Sequence, residues 1–140
     1  MIMSNLILTV GLPRSGKSTW SMQQGYPVVN PDSVRLALHG QKFVIEAEPM
    51  VWSITRYMIK SLFIAGHETV ILDATNTTER RRNEWKSKEW DTFYRYFDTS
   101  KDVCIERARS IDYEELVPVI ERMDKQLEKL SSTEWSNLWV

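Results

Sequence analysis

Short apolar runs alternate with amphipathic segments along the whole chain. Four runs, at residues 6–10, 27–30, 69–73 and 92–97, are short and rich in β-branched or aromatic residues, which is typical of strands. Two of them, LILTV and TVILD, are apolar almost without interruption. This pattern is typical of strands that are buried on both faces of a parallel sheet. We therefore expect about four parallel strands.

The segments between these runs carry helical signals. Predicted helices start at residue 16 or 17 and end near 24, and cover 31–38, 47–65, 76–90, 100–109 and 116–130. The longest repeats its apolar residues every three or four positions, and Pro31 suits a first helical turn. Strands that alternate with helices predict right-handed crossovers in a three-layer α/β domain. The C-terminal residues 131–140 contain a polar turn and three large apolar residues, and could pack on this domain or on a partner.

Length and net charge limit the class of protein. A chain of 140 residues without repeats or linkers suits one domain, residues 1–140. The net charge of −1 creates no overall field that would attract nucleic acid or an anionic membrane. A polyanionic substrate must therefore be held by a local cluster of basic residues. No apolar run approaches the roughly 20 residues that span a bilayer, so no membrane partner is expected.

The N-terminal residues and the single cysteine predict a cytoplasmic protein. Residues 1–10 lack the basic start of a secretory signal and lead directly into the first strand. Cys104 cannot form an internal disulfide, which fits a reducing compartment, and we expect it to be a small core residue. The sequence does not indicate an oligomeric state.

The segment after the first strand matches the phosphate-binding pattern G-x-x-x-x-G-K-[ST] in full. Average composition gives a chance match in about 0.5% of chains of this length. The glycines let backbone amides point at a phosphate, and the following helix presents its positive end to the same group. Lys17 is expected to reach the β- and γ-phosphates, and the Ser18 hydroxyl to bind magnesium. The motif therefore predicts a site for ATP with Mg²⁺, formed by Gly11, Leu12, Pro13, Arg14, Ser15, Gly16, Lys17, Ser18 and the adjoining Thr19.

Two polar residues follow the second strand. The carboxyl ends of the strands meet at the ligand crevice of an open α/β sheet, and Asp32 and Arg35, three residues apart, share one helix face. The carboxylate could take the proton of an attacking hydroxyl, and the arginine could hold a phosphate of the acceptor. A helix-start aspartate beside a surface arginine explains the same residues equally well.

Further candidates follow the third strand and precede the last helix. Asp73 ends an apolar run in the form of a Walker B strand and is expected to orient the magnesium ion, while Thr75 and Asn76 follow as candidate acceptor-binding residues. Arg107 and Arg109 lie where a kinase neutralises charge on the transferred phosphoryl group. A solvated helix end is the equal alternative for these two arginines.

A basic run, Arg80-Arg81-Arg82 with Lys86 and Lys88, occupies the helix after the third strand. Three glutamates are interleaved with it, which favours a solvated helix face. Contact of some of these residues with a polyanionic acceptor is the less favoured alternative.

The order of the motifs resembles the phage-type polynucleotide 5′-hydroxyl kinases and the wider group of small zeta-toxin-like P-loop kinases. The resemblance rests on GLPRSGKSTW, NPDSVR, VILDATNTTERRRNEW, YFD and an arginine-bearing segment, and it covers residues 1 to about 130. It implies the fold of the nucleoside-monophosphate-kinase-like P-loop NTPases. In that fold four parallel strands in the order 2-3-1-4 are flanked by helices, with a short lid at about residues 107–117.

The resemblance also implies roles for individual residues, besides ATP and magnesium binding by the phosphate loop. Asp32 would be the general base and a carboxylate near the magnesium ion, and Arg35 would hold the phosphate beside the acceptor hydroxyl. Thr75 would line the acceptor phosphate and Arg107 the donor phosphates. The lid departs from this pattern because residues 111–116 are acidic, and Arg109 is the candidate replacement for a second lid arginine.

These features predict a kinase that moves the γ-phosphate of ATP to a hydroxyl, first of all the 5′-hydroxyl of DNA or RNA. A phosphate acceptor needs no base and would be repelled by Asp32, whereas a hydroxyl gains from one. A kinase of small hydroxyl compounds such as sugars, nucleosides or antibiotics is an alternative. An ATP-binding regulatory module with little catalysis is another.

Overall fold

The computed structural model describes residues 3–140, which form one four-stranded sheet. All strand pairs are parallel and the order is β2-β3-β1-β4, as predicted. The expectation of a missing signal sequence falls partly on residues 1 and 2, which lie outside the described residues. The strands are β1 (Asn5–Val10), β2 (Val28–Val29), β3 (Thr69–Leu72) and β4 (Asp91–Tyr96).

Seven α-helices and two short 3-10 helices occupy the connections of this part of the chain. The α-helices are α1 (Lys17–Gln23), α2 (Pro31–His39), α3 (Glu48–Ile64), α4 (Glu79–Asn83), α5 (Lys101–Ser110), α6 (Val117–Gln126) and α7 (Ser132–Trp135). The 3-10 helices precede α3 at Ile45–Ala47 and α6 at Glu114–Leu116. None of the helices formed by residues 3–140 is both long and apolar enough to cross a membrane.

The core consists of two apolar clusters. The larger one packs β1 and β3, which are buried throughout their apolar runs, against Ile59 of α3 and against Trp85 and Trp90. The smaller one joins Leu12 of the phosphate loop to α5 and α6 and contains Cys104, as expected of a small core residue. Burial of each large apolar side chain contributes about 1.5–3 kcal/mol. The second cluster therefore fixes the phosphate loop to the two helices that follow β4.

Two predicted helices end earlier than their sequence patterns indicate. Helix α4 ends at Asn83 rather than near residue 90, because Trp85 and Trp90 turn into the larger cluster and the Trp90 Nε1–H donates to the Trp85 carbonyl at 2.8 Å. Helix α6 ends at Gln126 rather than near 130, because the Glu128 amide donates to the Thr77 carbonyl at 2.7 Å. In both places a tertiary contact replaces a helical turn.

The C-terminal segment packs on its own sheet. Ser131 and Glu134 form a capping box that begins α7. Beyond α7, Leu138 makes a parallel bridge with Tyr94 of β4. The Tyr94 amide donates to the Asn137 carbonyl at 3.0 Å, and the Trp139 amide donates to the Tyr94 carbonyl at 2.9 Å. The segment thus packs on its own domain and covers the free edge of β4.

Candidate nucleotide and phosphoryl-transfer site

The phosphate loop connects β1 to α1 in a conformation that depends on its glycines. A Cβ atom on Gly11 would lie 2.8 Å from Ser15 Oγ and 2.9 Å from Phe97 Cβ, so only glycine fits there. Gly16 has a φ of 104° and Arg14 a φ of 68°, both in the left-handed region. Such turns direct successive amides toward one point, which is the geometry of an anion nest.

Residues far along the chain hold this loop in place. The Thr99 hydroxyl donates to the Ser15 carbonyl at 2.9 Å, and Arg107 Nη1 donates to the Arg14 carbonyl at 3.1 Å. Thr99 was not identified from the sequence, because its neighbours form an ordinary helix cap. Arg107, by contrast, lies against the phosphate loop, next to where a nucleotide's phosphates would bind.

Lys17 lies folded over the loop, with only 7% of its surface exposed. Its Nζ donates to the Leu12 carbonyl at 2.6 Å and to Ser15 Oγ at 3.5 Å. Burial lowers the pKa of Lys17 to about 8, against the opposing effect of the negative charges of Asp73 and Asp32. Asp73 gives the larger of these two opposing effects.

Asp73 is the centre of a polar cluster at the carboxyl ends of β2 and β3. Its buried Oδ2 accepts a hydrogen bond from the Ser18 hydroxyl at 2.7 Å and another from Asn30 Nδ2 at 3.3 Å. The Asn30 side chain also caps α2 by accepting from the Asp32 amide at 2.8 Å. Asn30 was missed by sequence reasoning, although its position after a strand and before Pro31 is typical of a helix cap. It fixes the start of α2 relative to Asp73.

The Ser18 hydroxyl and the Asp73 carboxylate fit a magnesium ion. Mg²⁺ favours hard oxygen ligands and is usually held by one or two carboxylates together with substrate phosphates and water. Within residues 3–140, no group of three or more His, Cys, Asp or Glu side chains is placed to hold a metal by itself. Nucleotide phosphates would therefore have to complete the coordination.

Arg35 is fixed between two carboxylates. Its Nε and Nη2 donate to Glu48 at 2.9 Å and 2.6 Å, and its Nη1 donates to Asp32 Oδ1 at 2.7 Å. The Arg35 side chain is 14% exposed and that of Asp32 is 72% exposed, so Arg35 is not a free surface arginine. These bonds use three of the five N–H groups of the guanidinium and leave two for a ligand. Glu48 was missed because no local spacing connects it with Arg35.

The two residues expected to contact the acceptor, Thr75 and Asn76, lie in the loop after β3. The Thr75 carbonyl accepts from the Gly11 amide at 3.0 Å, which joins this loop to the phosphate loop. Asn76 is buried with a φ of 45°, and its Nδ2 donates to the Thr9 carbonyl at 2.8 Å. The Asn76 side-chain nitrogen therefore holds the loop, while its buried Oδ1 has no hydrogen-bond partner among the described residues, and the acceptor contact expected from the sequence stays a prediction.

The two candidate lid arginines have different partners. Arg109 pairs with Glu114 at 3.2 Å, and both side chains are largely exposed. Residues two apart on a helix point in different directions, so Arg109 does not follow Arg107 to the phosphate loop. Arg109 thus pairs within the acidic segment, and its expected contact with the nucleotide stays a prediction.

The basic run is not one solvated face. Arg80 is exposed, whereas Arg81 lies over the ring of Trp52 with its Cζ 4.5 Å from the centroid. Arg82 is fully buried and pairs with Glu134 of α7 at 2.7 Å. Its Nη1 also donates to the Asn76 carbonyl at 2.9 Å. The expectation of a solvated run is therefore wrong for Arg82, because α7 provides a buried partner that the sequence did not indicate.

The parallel sheet, the phosphate loop and the Ser18–Asp73 pair together define a P-loop protein of the kinase type. A family comparison agrees with this class, since the model of the AAA domain family AAA_33 matches residues 6–130. The chain belongs to this family.

Solved structures share the fold. Two chains from structures of the Pnkp1/Rnl/Hen1 RNA repair complex superpose with TM-scores of 0.69 and 0.68, at 24% and 19% identity. They match 76% and 94% of this chain, but this chain spans only 40% and 51% of theirs. A gluconokinase from Sinorhizobium meliloti 1021 has a TM-score of 0.62 at 17% identity, covering 91% of this chain and 76% of its own. At these identities the likeness shows the fold alone.

Proposed function

We propose that the chain is an ATP-dependent kinase that transfers the γ-phosphate to the 5′-hydroxyl end of DNA or RNA. The observation that carries the proposal is the exposed Asp32 carboxylate beside Arg35, at a helix start that Asn30 connects to Asp73 and so to Ser18 of the phosphate loop. A phosphate loop alone suits many nucleotide-binding proteins. A base and an anion-binding group next to it are what transfer to a hydroxyl requires.

The phosphate loop would bind ATP, the donor of the phosphoryl group. ATP phosphates would accept hydrogen bonds from the loop amides, with Lys17 at the β- and γ-phosphates. A magnesium ion held at Ser18 and Asp73 would neutralise charge on these phosphates. Arg107, which already contacts the loop, would stabilise negative charge on the transferred group. The proposal places the protein in the cytoplasm, where ATP is available.

Residues at the start of α2 would bind the acceptor and activate its hydroxyl. The two remaining N–H groups of Arg35 would bind the phosphate next to the terminal sugar, and Thr75 would line the same phosphate. Asp32 would accept the proton of the 5′-hydroxyl as its oxygen attacks the γ-phosphorus. The bond to the β-phosphate oxygen then breaks and ADP leaves. A positioned base contributes about 10² to 10⁴-fold in rate.

The likeness to chains of an RNA repair complex supports a nucleic-acid acceptor. A small hydroxyl compound is the second candidate, because Glu48 already neutralises Arg35 and because a gluconokinase shares the fold. The two candidates differ in what Arg35 binds. A nucleic acid brings a phosphate to the two remaining N–H groups, whereas gluconate brings a carboxylate and an uncharged nucleoside leaves these groups unused.

Transfer of radiolabelled γ-phosphate to a 5′-hydroxyl oligonucleotide, with gluconate and a nucleoside in parallel, tests the proposal. We expect label on the oligonucleotide. Transfer by Asp32→Asn should be slower by about a hundredfold or more, with ATP affinity retained, because the base is lost. Asp102→Asn, which changes an exposed aspartate in the first turn of α5, is the matched control and should retain activity.

Label on gluconate or the nucleoside alone would replace the first candidate by the second. ATP binding that Lys17→Ala abolishes, without transfer to any of these acceptors, would instead indicate the ATP-binding regulatory module.

A further inference from the structure

The three consecutive arginines of α4 lie in three different environments. Arg80 faces solvent, Arg82 is buried against Glu134, and Arg81 is partly buried against Trp52 of α3. Only Arg81 therefore joins the acceptor side of the site. The mechanism described above gives this residue no role.

Trp52 brings Arg81 next to the arginine of the acceptor site. The Arg81 and Arg35 guanidinium carbons lie 4.5 Å and 5.8 Å from the centroid of the same indole ring. Glu48, which holds Arg35, lies four residues before Trp52 and so on the same face of α3. The hydrogen bond from Arg35 lowers the pKa of Glu48, and the positive charge of Arg81 adds to this effect. Arg35 and Arg81 are thus two cations that lie around one indole ring.

The Trp52 ring packs against the guanidinium groups of arginines, so it does not offer a free face on which a base could stack. Arg81 covers it, and Trp85 packs against it with ring centroids 6.2 Å apart. A cation above an indole face is stabilised by about 0.5–2 kcal/mol, which holds Arg81 in a defined position. An ordered guanidinium loses less entropy when it binds an anion.

The existing partner of Arg81 is weak. Arg81 Nη1 lies 3.5 Å from Glu84 Oε2, and the two side chains are 41% and 52% exposed. Exposed pairs of this kind contribute little. A phosphate can therefore replace Glu84 with shorter, charge-assisted hydrogen bonds.

We propose that Arg81 binds the second phosphate of the acceptor strand, so that the site favours 5′-hydroxyl acceptors with at least two phosphates. The inference rests on the proposed function and names its substrate more closely. Arg35 takes the phosphate beside the reacting hydroxyl and Arg81 takes the next one. The strand then continues past Arg56, whose guanidinium carbon lies 4.7 Å from the centroid of the Trp85 ring.

The overall charge of −1 is compatible with this arrangement because the recognition is local. Three carboxylates lie beside these two arginines: Asp32 and Glu48 pair with Arg35, and Glu84 pairs with Arg81. Glu48 is occupied by Arg35, and Glu84 is released when a phosphate binds Arg81. A second phosphate contact therefore changes affinity for the acceptor without changing the groups at the reacting hydroxyl.

Steady-state kinetics with two matched acceptors test the proposal. Thymidine 3′-phosphate carries one phosphate, and the thymidine dinucleotide with a 3′-phosphate carries two. For the unchanged chain we expect a KM about tenfold lower for the dinucleotide at equal kcat. Arg81→Gln should raise the dinucleotide KM to that of the mononucleotide and leave kcat and the mononucleotide KM within twofold. The salt dependence of dinucleotide affinity should lose a slope of about 0.7, the value for one phosphate of a single strand.

Arg80→Gln is the control, because it removes the same charge from the adjacent, solvent-facing position. It should keep the tenfold preference for the dinucleotide. Activity on the mononucleotide reports folding of each variant in the same assay. Equal KM values for both acceptors in the unchanged chain, or equal losses on both in Arg81→Gln, would overturn the inference. Absence of transfer to either nucleotide, with transfer to gluconate, would instead refute the proposed nucleic-acid acceptor.

Discussion

At the scale of single residues, Lys17 stands out because its charged side chain is buried in the phosphate loop. Its folded pKa of about 8 lies below the ordinary 10.5 because burial disfavours the charge. Below pH 8 the lysine is charged in both states, so its burial destabilises the nucleotide-free protein. Between pH 8 and 10.5 the unfolded chain binds more protons, and stability rises with pH. Lys17→Met should therefore stabilise the protein at pH 7 by up to about 3 kcal/mol.

Urea unfolding without nucleotide at pH 7 and pH 10 measures this effect. The gain from Lys17→Met should shrink toward zero as the pH approaches 10.5, because the lysine is then neutral in both states. Lys101→Met is the control, since Lys101 also begins a helix but is not fully buried. A gain that does not change with pH would show that desolvation of Lys17 is not its cause.

The residues that sequence reasoning found and missed differ in a physical way. Ser18 and Asp73 were predicted because the motif and the strand end are local signals, and they form the expected pair at 2.7 Å. Glu48 and Trp52 were not predicted from the sequence, because their contacts with Arg35 and Arg81 depend on how α3 packs beside α2 and α4. A local sequence pattern predicts where a residue lies along a helix or strand. Which residues of separate helices contact each other depends on how the helices pack.

At the scale of whole elements, the same distinction explains the fold. The runs of β1 and β3 are continuous and apolar, and this pattern predicted parallel strands buried on both faces, whereas their pairing was implied only by the family resemblance. Helix α4 shows the limit of such patterns. Its sequence remains compatible with a helix up to Trp90, but burial of two tryptophans outweighs the few tenths of a kcal/mol per residue that distinguish helix formers.

The buried pair of Arg82 and Glu134 joins α4 to α7 and makes a second prediction. Arg82→Met leaves the buried Glu134 charge without its partner and should destabilise the protein by about 3–5 kcal/mol. Combining it with Glu134→Leu should recover part of this loss, because both charges are then absent. Recovery stays incomplete, since Arg82 also donates to the carbonyls of Asn76 and Lys129.

Urea unfolding of both single variants and the double variant provides the measurement. If the double variant loses the sum of the two single losses, the two side chains act independently and the pair is not a unit. The dependence of the free energy of unfolding on pH, measured in the acid range, provides a second test. Although burial opposes ionisation, the hydrogen bonds from Arg82 and Ser131 keep the pKa of Glu134 below its ordinary value. The stabilisation from the pair is therefore present above that ordinary value and is lost as the pH falls through the folded pKa.

At the scale of the whole molecule, the C-terminal segment connects the sheet edge to the site. It covers the edge of β4 through Leu138 and Trp139, and through Glu134 it anchors Arg82, which in turn holds the loop that carries Thr75. The proposed acceptor side of the site is thus supported from the opposite end of the chain. The motifs around the phosphate loop contain no signal for this connection.

Removal of residues 136–140 tests the structural part of this arrangement while keeping Glu134. The truncation frees the Tyr94 N–H and C=O groups and exposes Phe93 and Tyr26, whose rings pack on Trp139 at 5.3 Å and 6.1 Å. An uncovered strand edge with aromatic neighbours is a template for association between chains. Light scattering should therefore show a larger mass for the truncated chain than for the full chain at equal concentration. Deletion of Val140 alone, a fully exposed residue, should leave the mass unchanged. A truncated chain that scatters like the full one would mean that the segment does not protect this edge.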